Sequence, residues 1–155
     1  MFIIDSQVHI WAPETPDKPY AKENASPPHR AQPLGHDELL REMDGAGVSR
    51  CILVPPTWEA DRNDTSLEAA RLHPERFRVM GKLALTNPNG PALMAAWKQQ
   101  PFMLGIRMVF NRGQSAQWLN DGTADWFWDA AEKYDIPVMT LAPADVPKLG
   151  EVAER

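Results

Sequence analysis

Asp5, Gln7, His9 and Trp11 stand at every second position of the opening stretch Phe2-Ile3-Ile4-Asp5-Ser6-Gln7-Val8-His9-Ile10-Trp11. In an extended strand, residues two apart share a face, so these four would lie on one side and Ile4, Ser6, Val8 and Ile10 on the other. An acid, an amide, an imidazole and an indole at the end of an otherwise apolar strand form a set that suits a reaction centre at the mouth of an α/β barrel. An N-terminal edge strand with one solvated polar face would show the same alternation. Within the set, Asp5 reads as a residue that orients its neighbours rather than one that performs chemistry.

Further along, Arg107 interrupts the apolar run Leu104-Gly105-Ile106-Arg107-Met108-Val109-Phe110. An unpaired charge there is costly, so the guanidinium must find an acid, the solvent at a barrel mouth, or a ligand carboxylate that its planar fork can grip. Trp11 and Trp58 follow the ends of the first and second strands and could wall a ring-shaped substrate, or pack as core aromatics at the base of a loop. Thr140, near the end of the fifth strand, is a candidate hydrogen-bond donor. His29, His36 and His73 read as solvated or capping residues. The single cysteine, Cys51, opens a β-branched apolar run and reads as a buried, inert thiol.

The elements that must position these residues can be read from periodicity and punctuation. Residues 12 to 36 carry Pro13, Pro16, Pro19, Pro27, Pro28 and Pro33, which marks a long loop that could fold over a site as a lid. A helix follows from about Asp37, with Leu39, Leu40, Met43 and Ala46 on one face and Gly45 and Gly47 closing it. Arg50-Cys51-Ile52-Leu53-Val54 stops at Pro55-Pro56 and reads as a strand buried on both faces. Thr65-Ser66-Leu67-Glu68 is a capping-box pattern for a helix that stops near His73-Pro74. A strand over Phe77–Leu85 leads to a helix near Pro91 with Leu93, Met94 and Trp97. The strand at Leu104–Phe110 precedes a looser stretch with Gly113 and Gly122, then a helix over Ala124–Tyr134 packed through Trp126, Phe127, Ala130 and Ala131. Ile136–Leu141 is the fifth strand, and Asp145–Arg155 begins a fifth helix.

Five βα units with crossovers require parallel pairing. At 155 residues the chain has room for a single domain, 1–155, with a sizeable core. Two α/β architectures accept the order: an open, doubly wound five-stranded sheet, or the first five units of a (β/α)8 TIM barrel, whose complete fold takes about 250 residues. The first strand is followed by no glycine-rich phosphate turn, and the last helix lacks a stop signal, both of which favour the partial barrel. A five-stranded arc leaves unpaired edges on its first and last strands, so a chain complete at this length should be a homo-oligomer. The formal charge of −5 and pI of about 5.3, with scattered basic residues, exclude a nucleic-acid footprint. No apolar run approaches the roughly 20 residues of a membrane span and no basic region precedes an apolar one, so a cytoplasmic protein is expected.

Ile4-Asp5-Ser6-Gln7-Val8-His9-Ile10-Trp11, the Gly47-to-Pro55 segment Gly-Val-Ser-Arg-Cys-Ile-Leu-Val-Pro, His73-Pro74-Glu75-Arg76-Phe77, Leu104-Gly105-Ile106-Arg107 and Tyr134-Asp135-Ile136-Pro137-Val138 resemble, in order, the amidohydrolase-related, metal-dependent-hydrolase-like barrels. The resemblance extends over the whole chain. Within the superfamily the chain looks most like the branch of 2-pyrone-4,6-dicarboxylate lactonase, sugar lactonases and carboxy-lyase relatives.

The resemblance implies a hydrolase that adds water to the carbonyl of a small, carboxylated lactone or related cyclic ester at the carboxyl-terminal mouth of the barrel. His9 and Arg107 would be catalytic, with Gln7, Trp11, Trp58, Arg107 and Thr140 binding substrate. Relatives have a His-x-His pair on the first strand, further histidines and an aspartate at the end of the eighth. Only the second histidine maps here, onto His9, while Gln7 occupies the place of the first. A neutral amide oxygen is a poor replacement for imidazole on a zinc-type ion. The implied cofactor is therefore none, or a weakly bound divalent metal such as zinc with His9 as a ligand. The alternatives are a non-oxidative decarboxylase of the same superfamily and a non-catalytic α/β half-barrel that acts only after association.

Overall fold

The apolar runs pair as one parallel sheet whose strand order follows the chain, β1-β2-β3-β4-β5. The strands are β1 (Ile4–Val8), β2 (Arg50–Leu53), β3 (Phe77–Gly81), β4 (Met103–Val109) and β5 (Val138–Leu141). Between and after them run α1 (His36–Ala46), α2 (Asp64–Leu72), α3 (Gly90–Ala96), α4 (Asp125–Lys133) and α5 (Val146–Ala153). This computed structural model describes every residue except Glu23, Asn24, Arg112 and Arg155, so the expected extension of the last helix to Arg155 lies outside the described residues. A doubly wound sheet reverses its strand order at a switch point, whereas a sequential order is the winding of a barrel. The open-sheet alternative is therefore set aside in favour of a curled half-barrel.

Side chains of the first and fourth strands meet on the concave side, where Arg107 Nη1 donates to Gln7 Oε1 at 3.1 Å across three strand spacings of about 4.8 Å. The core lies on the convex side, between sheet and helices. Cys51 pairs with Phe77 and Leu53 with Val79, and all four are buried there with Leu39, Met43, Met94 and Ile106. Residues paired side by side in parallel strands point the same way, so Ile52 and its neighbour Arg78 face the concave side, where Arg78 is exposed. The second strand is thus buried on one face rather than both.

Three local expectations are corrected. The alternation in β1 breaks because the register shifts between Asp5 and Val8. Asp5 pairs with Cys51 on the convex side and accepts a hydrogen bond from the Gln7 amide at 3.0 Å, so it does not share the face of Gln7. An extra residue in one strand reverses every following side chain. β3 ends at Gly81 instead of Leu85 because the Asn63 side chain takes both backbone groups of Lys82, accepting from its N–H at 2.7 Å and donating to its carbonyl at 3.0 Å. Finally, α2 starts at Asp64 without a side-chain cap. The Thr65 hydroxyl donates instead to Glu59 Oε1 at 3.2 Å.

Gly105 is required by close approach: a Cβ there would lie 2.1 Å from the Pro137 carbonyl oxygen, the same oxygen that accepts from Ile106 N at 2.9 Å. Cys51 is buried as expected, and burial pushes its thiol up to about 12. Among the described residues, no helix is long and apolar enough to cross a membrane.

Candidate active site at the carboxyl ends of the strands

His9 leaves the end of β1 and is fastened to the end of β2. Val54 N donates to the Val8 carbonyl at 2.8 Å, and His9 Nδ1 lies 2.7 Å from the Val54 carbonyl oxygen. A carbonyl only accepts, so Nδ1 carries the proton and Nε2 keeps its lone pair. Burial lowers the pKa of His9 below its ordinary value, the Val54 hydrogen bond opposes this, and the charges of Arg107, His29 and Lys82 lower it further. A neutral imidazole with a free basic nitrogen can take a proton from water at neutral pH.

Arg107 projects from β4 to the concave side, where its guanidinium is half-buried. Burial lowers its pKa, and no acid among the described residues offsets that effect. Its partner Gln7 is a neutral amide, so among the described residues the positive charge is not compensated. A second cation, Lys82, follows the end of β3. Its Nζ donates to the carbonyl oxygens of Pro56, at 3.3 Å, and of Ala60. Burial lowers its pKa, while Asp61 and Glu59 raise it. Desolvation beside the cavity raises the carboxyl of the otherwise exposed Asp61, opposed by Lys82. Thr57, Asp61, Lys82, Arg107, Ser115 and Trp118 line a cavity of about 270 Å³, which opens past the ends of β3 and β4.

The aromatic wall beside His9 is built from three rings. Trp11 and Trp58 are both buried and meet edge to face with centroids 5.2 Å apart. His29 packs edge-on against both, at 5.1 Å from Trp11 and 5.9 Å from Trp58, while remaining exposed as the solvated reading expected. His9 lies 6.4 Å from Trp58. The Trp58 Nε1 is buried without a hydrogen-bond partner among the described residues, a donor that a ligand could satisfy.

The long loop is tied down beside this wall. Ala21 N donates to the Trp58 carbonyl at 2.7 Å and Trp11 N to the Leu34 carbonyl at 3.1 Å, and Ser26 N donates to Thr57 Oγ1 at 2.9 Å. Glu59, 2% exposed, anchors the start of the loop by accepting from Ala12 N at 3.1 Å. Ala21 also lines the cavity.

Gln7, His9, Trp11, Trp58 and Arg107 are thus brought together. Thr140 is not: it pairs with Met108, one residue out of phase with Arg107, and lines a groove of about 620 Å³ between α4, β5 and α5. That groove is larger, but its charged lining is acidic, with Asp125, Asp129, Glu132 and Asp135. Lys82, Asp61 and His29 were missed from sequence. Lys82 carried a usable signal, because it is a charge inside the apolar run Phe77–Leu85, as Arg107 is in its own.

A metal does not fit the residues at this mouth. His9 offers one nitrogen, Gln7 offers a neutral oxygen already held by Arg107, and the positive charges of Arg107 and Lys82 act on the imidazole. The described residues include one group of three close ligating side chains, His36, Asp37 and His73, none of which belongs to this cavity.

A family model described as "Amidohydrolase" matches residues 4–155. No curated protein matches the sequence. Solved structures do. A probable 2-pyrone-4,6-dicarboxylic acid hydrolase from Acinetobacter baumannii, with citric acid bound, is 21% identical at a TM-score of 0.71, covering 97% of this chain and 55% of that one. A Burkholderia multivorans amidohydrolase with bound zinc is 18% identical at a TM-score of 0.71, covering 100% of this chain and 54% of its own. A Novosphingobium aromaticivorans 5-carboxyvanillate decarboxylase complexed with manganese is 19% identical at a TM-score of 0.64, covering 97% and 54%. The chain spans about half the length of these proteins, and the likeness establishes the shared barrel fold.

Proposed function

The chain belongs to the amidohydrolase family, and from that premise we propose that it hydrolyses a small carboxylated lactone or related cyclic ester. The observation that carries the reading is the guanidinium of Arg107, which is bonded to the neutral Gln7 amide with no acid beside it among the described residues and lines one cavity together with Lys82; the charges of both lower the pKa of His9. Two cations around a concave, partly apolar site suit a small anion, and a basic imidazole beside them suits activation of water. The first structural relative is named for hydrolysis of a dicarboxylated pyrone; that substrate class is part of the proposal.

In the proposed reaction Arg107 holds the substrate carboxylate through its planar fork, while the buried Trp11–Trp58 pair backs the His9 side of the site. Water attacks the lactone carbonyl carbon and its proton passes to His9 Nε2. Lys82 faces the negative charge that develops on the carbonyl oxygen. The ring C–O bond then breaks, the leaving oxygen takes the proton back from the imidazolium, and an open-chain hydroxy acid leaves. The loop 12–36, tied to Trp58 and Thr57, would act as a lid that limits water to the one that reacts.

The test is a panel of carboxylated and uncarboxylated lactones incubated with the longest natural form of the chain, with and without chelator, with products resolved by mass. Ring-opened products gaining one water, formed faster from the carboxylated members and lost in His9→Gln, are expected. Release of carbon dioxide would replace this reading with the decarboxylase. Absence of turnover on both substrate classes would leave the non-catalytic half-barrel.

A further inference from the structure

We propose that His36, Asp37 and His73 form a binding site for a divalent transition-metal ion of the zinc type, separate from the barrel mouth. His36 opens α1 and His73 follows the last residue of α2. One ligand atom from each of the three side chains lies within 4.8 Å of the others. His36 Nδ1 is 3.2 Å from Asp37 Oδ1, and the two imidazole rings are 5.2 Å apart between centroids.

One observation points to a ligand, and a second shows that the site is held in place. His36 Nδ1 is buried and forms no aligned hydrogen bond among the described residues, its 3.2 Å approach to Asp37 Oδ1 being a charge contact only, so a cation that both atoms could ligate would satisfy it. His73 is held from all sides: its N–H donates to the Ala69 carbonyl, its own carbonyl accepts from Arg76 and Phe77 N–H, and its ring packs edge-on against Phe77 at 5.8 Å. Two imidazoles and a carboxylate are a borderline donor set that suits zinc with a fourth, water-filled position. Zinc bonds of about 2.0–2.2 Å would draw the ligand atoms together by roughly 1 Å, within reach of side-chain rotation at the half-exposed His36 and exposed Asp37.

The ion would clip α1 to α2 two residues after Leu34, whose carbonyl is bonded to Trp11 N. It would thereby fix the far end of the loop that carries His29.

The experiment is calorimetric titration of the purified, chelator-treated protein with zinc chloride, together with Tm measured with and without zinc. One zinc per chain is expected to bind both the unsubstituted protein and His9→Gln, and to raise their Tm. His36→Gln and His73→Gln should each weaken binding by at least about tenfold and lose the rise in Tm. If His73→Gln fails to fold, His36→Gln decides. Zinc binding of unchanged affinity in His36→Gln, or no binding by the unsubstituted protein, overturns the proposal. Neither readout uses turnover, so the result stands apart from the hydrolase reading.

Discussion

Arg107 on β4 donates from Nη1 to Gln7 Oε1 on β1 at 3.1 Å, across three strand spacings and 100 residues of sequence. The contact joins the first and fourth strands across the concave side, and it holds the guanidinium with a neutral amide that leaves its charge in place. Arg107→Ala is expected to lower kcat/KM for carboxylated lactones by about tenfold to a hundredfold, the equivalent of a charged hydrogen bond worth roughly 1.5–3 kcal/mol. Arg107→Lys should recover charge but not the fork, so KM stays raised. Equal kinetics of Arg107→Ala on carboxylated and uncarboxylated substrates would remove it from substrate binding.

Because the folded pKa of His9 lies below its ordinary 6.5, kcat/KM should be flat above that pH and fall on acidification, with a midpoint below 6.5. Stability follows the same sign. The contribution of the neutral ring is present above its unfolded pKa and is lost as pH falls through the folded value. A pH–rate profile and a histidine NMR titration are expected to share one midpoint, and urea unfolding repeated across pH measures the accompanying loss of stability.

Lys82 lowers the His9 pKa through its charge. Lys82→Met keeps the apolar stem and removes that charge, so the His9 midpoint should move upward in the NMR titration while kcat falls with KM little changed. An unmoved midpoint would mean that the ammonium is turned away from the imidazole.

Glu59 binds Ala12 N and the Thr65 hydroxyl while almost wholly buried. Glu59→Ala strands both donors and should cost about 1–3 kcal/mol in urea unfolding. Glu59→Gln retains an acceptor oxygen and should cost less. Burial raises the pKa of Glu59, so neutralising it removes a desolvation cost.

Gly105→Ala places a methyl against the Pro137 carbonyl at the β4–β5 pairing. Since backbone rather than a flexible side chain is struck, the strands must part. Destabilisation of about 3 kcal/mol or more is expected from denaturant unfolding, at the upper end for overpacking. A small effect would show that the β5 edge yields easily.

Local patterning determined the five βα units, because prolines, glycines and apolar periodicity act over a few residues. The same patterning picked out Gln7, His9, Trp11, Trp58 and Arg107, residue types that are costly or conspicuous where they stand, and the structure gathers these five at one mouth. Which face a side chain takes was decided by the tertiary structure. Alternation holds only along an unbroken ladder, so the shift after Asp5 carried that residue to the convex side, and the pairing of Thr140 with Met108 turned Thr140 away from Arg107. Lys82 depends on Asn63, Pro56 and Ala60, and His36 on His73. These partners are distant in sequence and are brought together only when the helices and loops pack on the curled sheet.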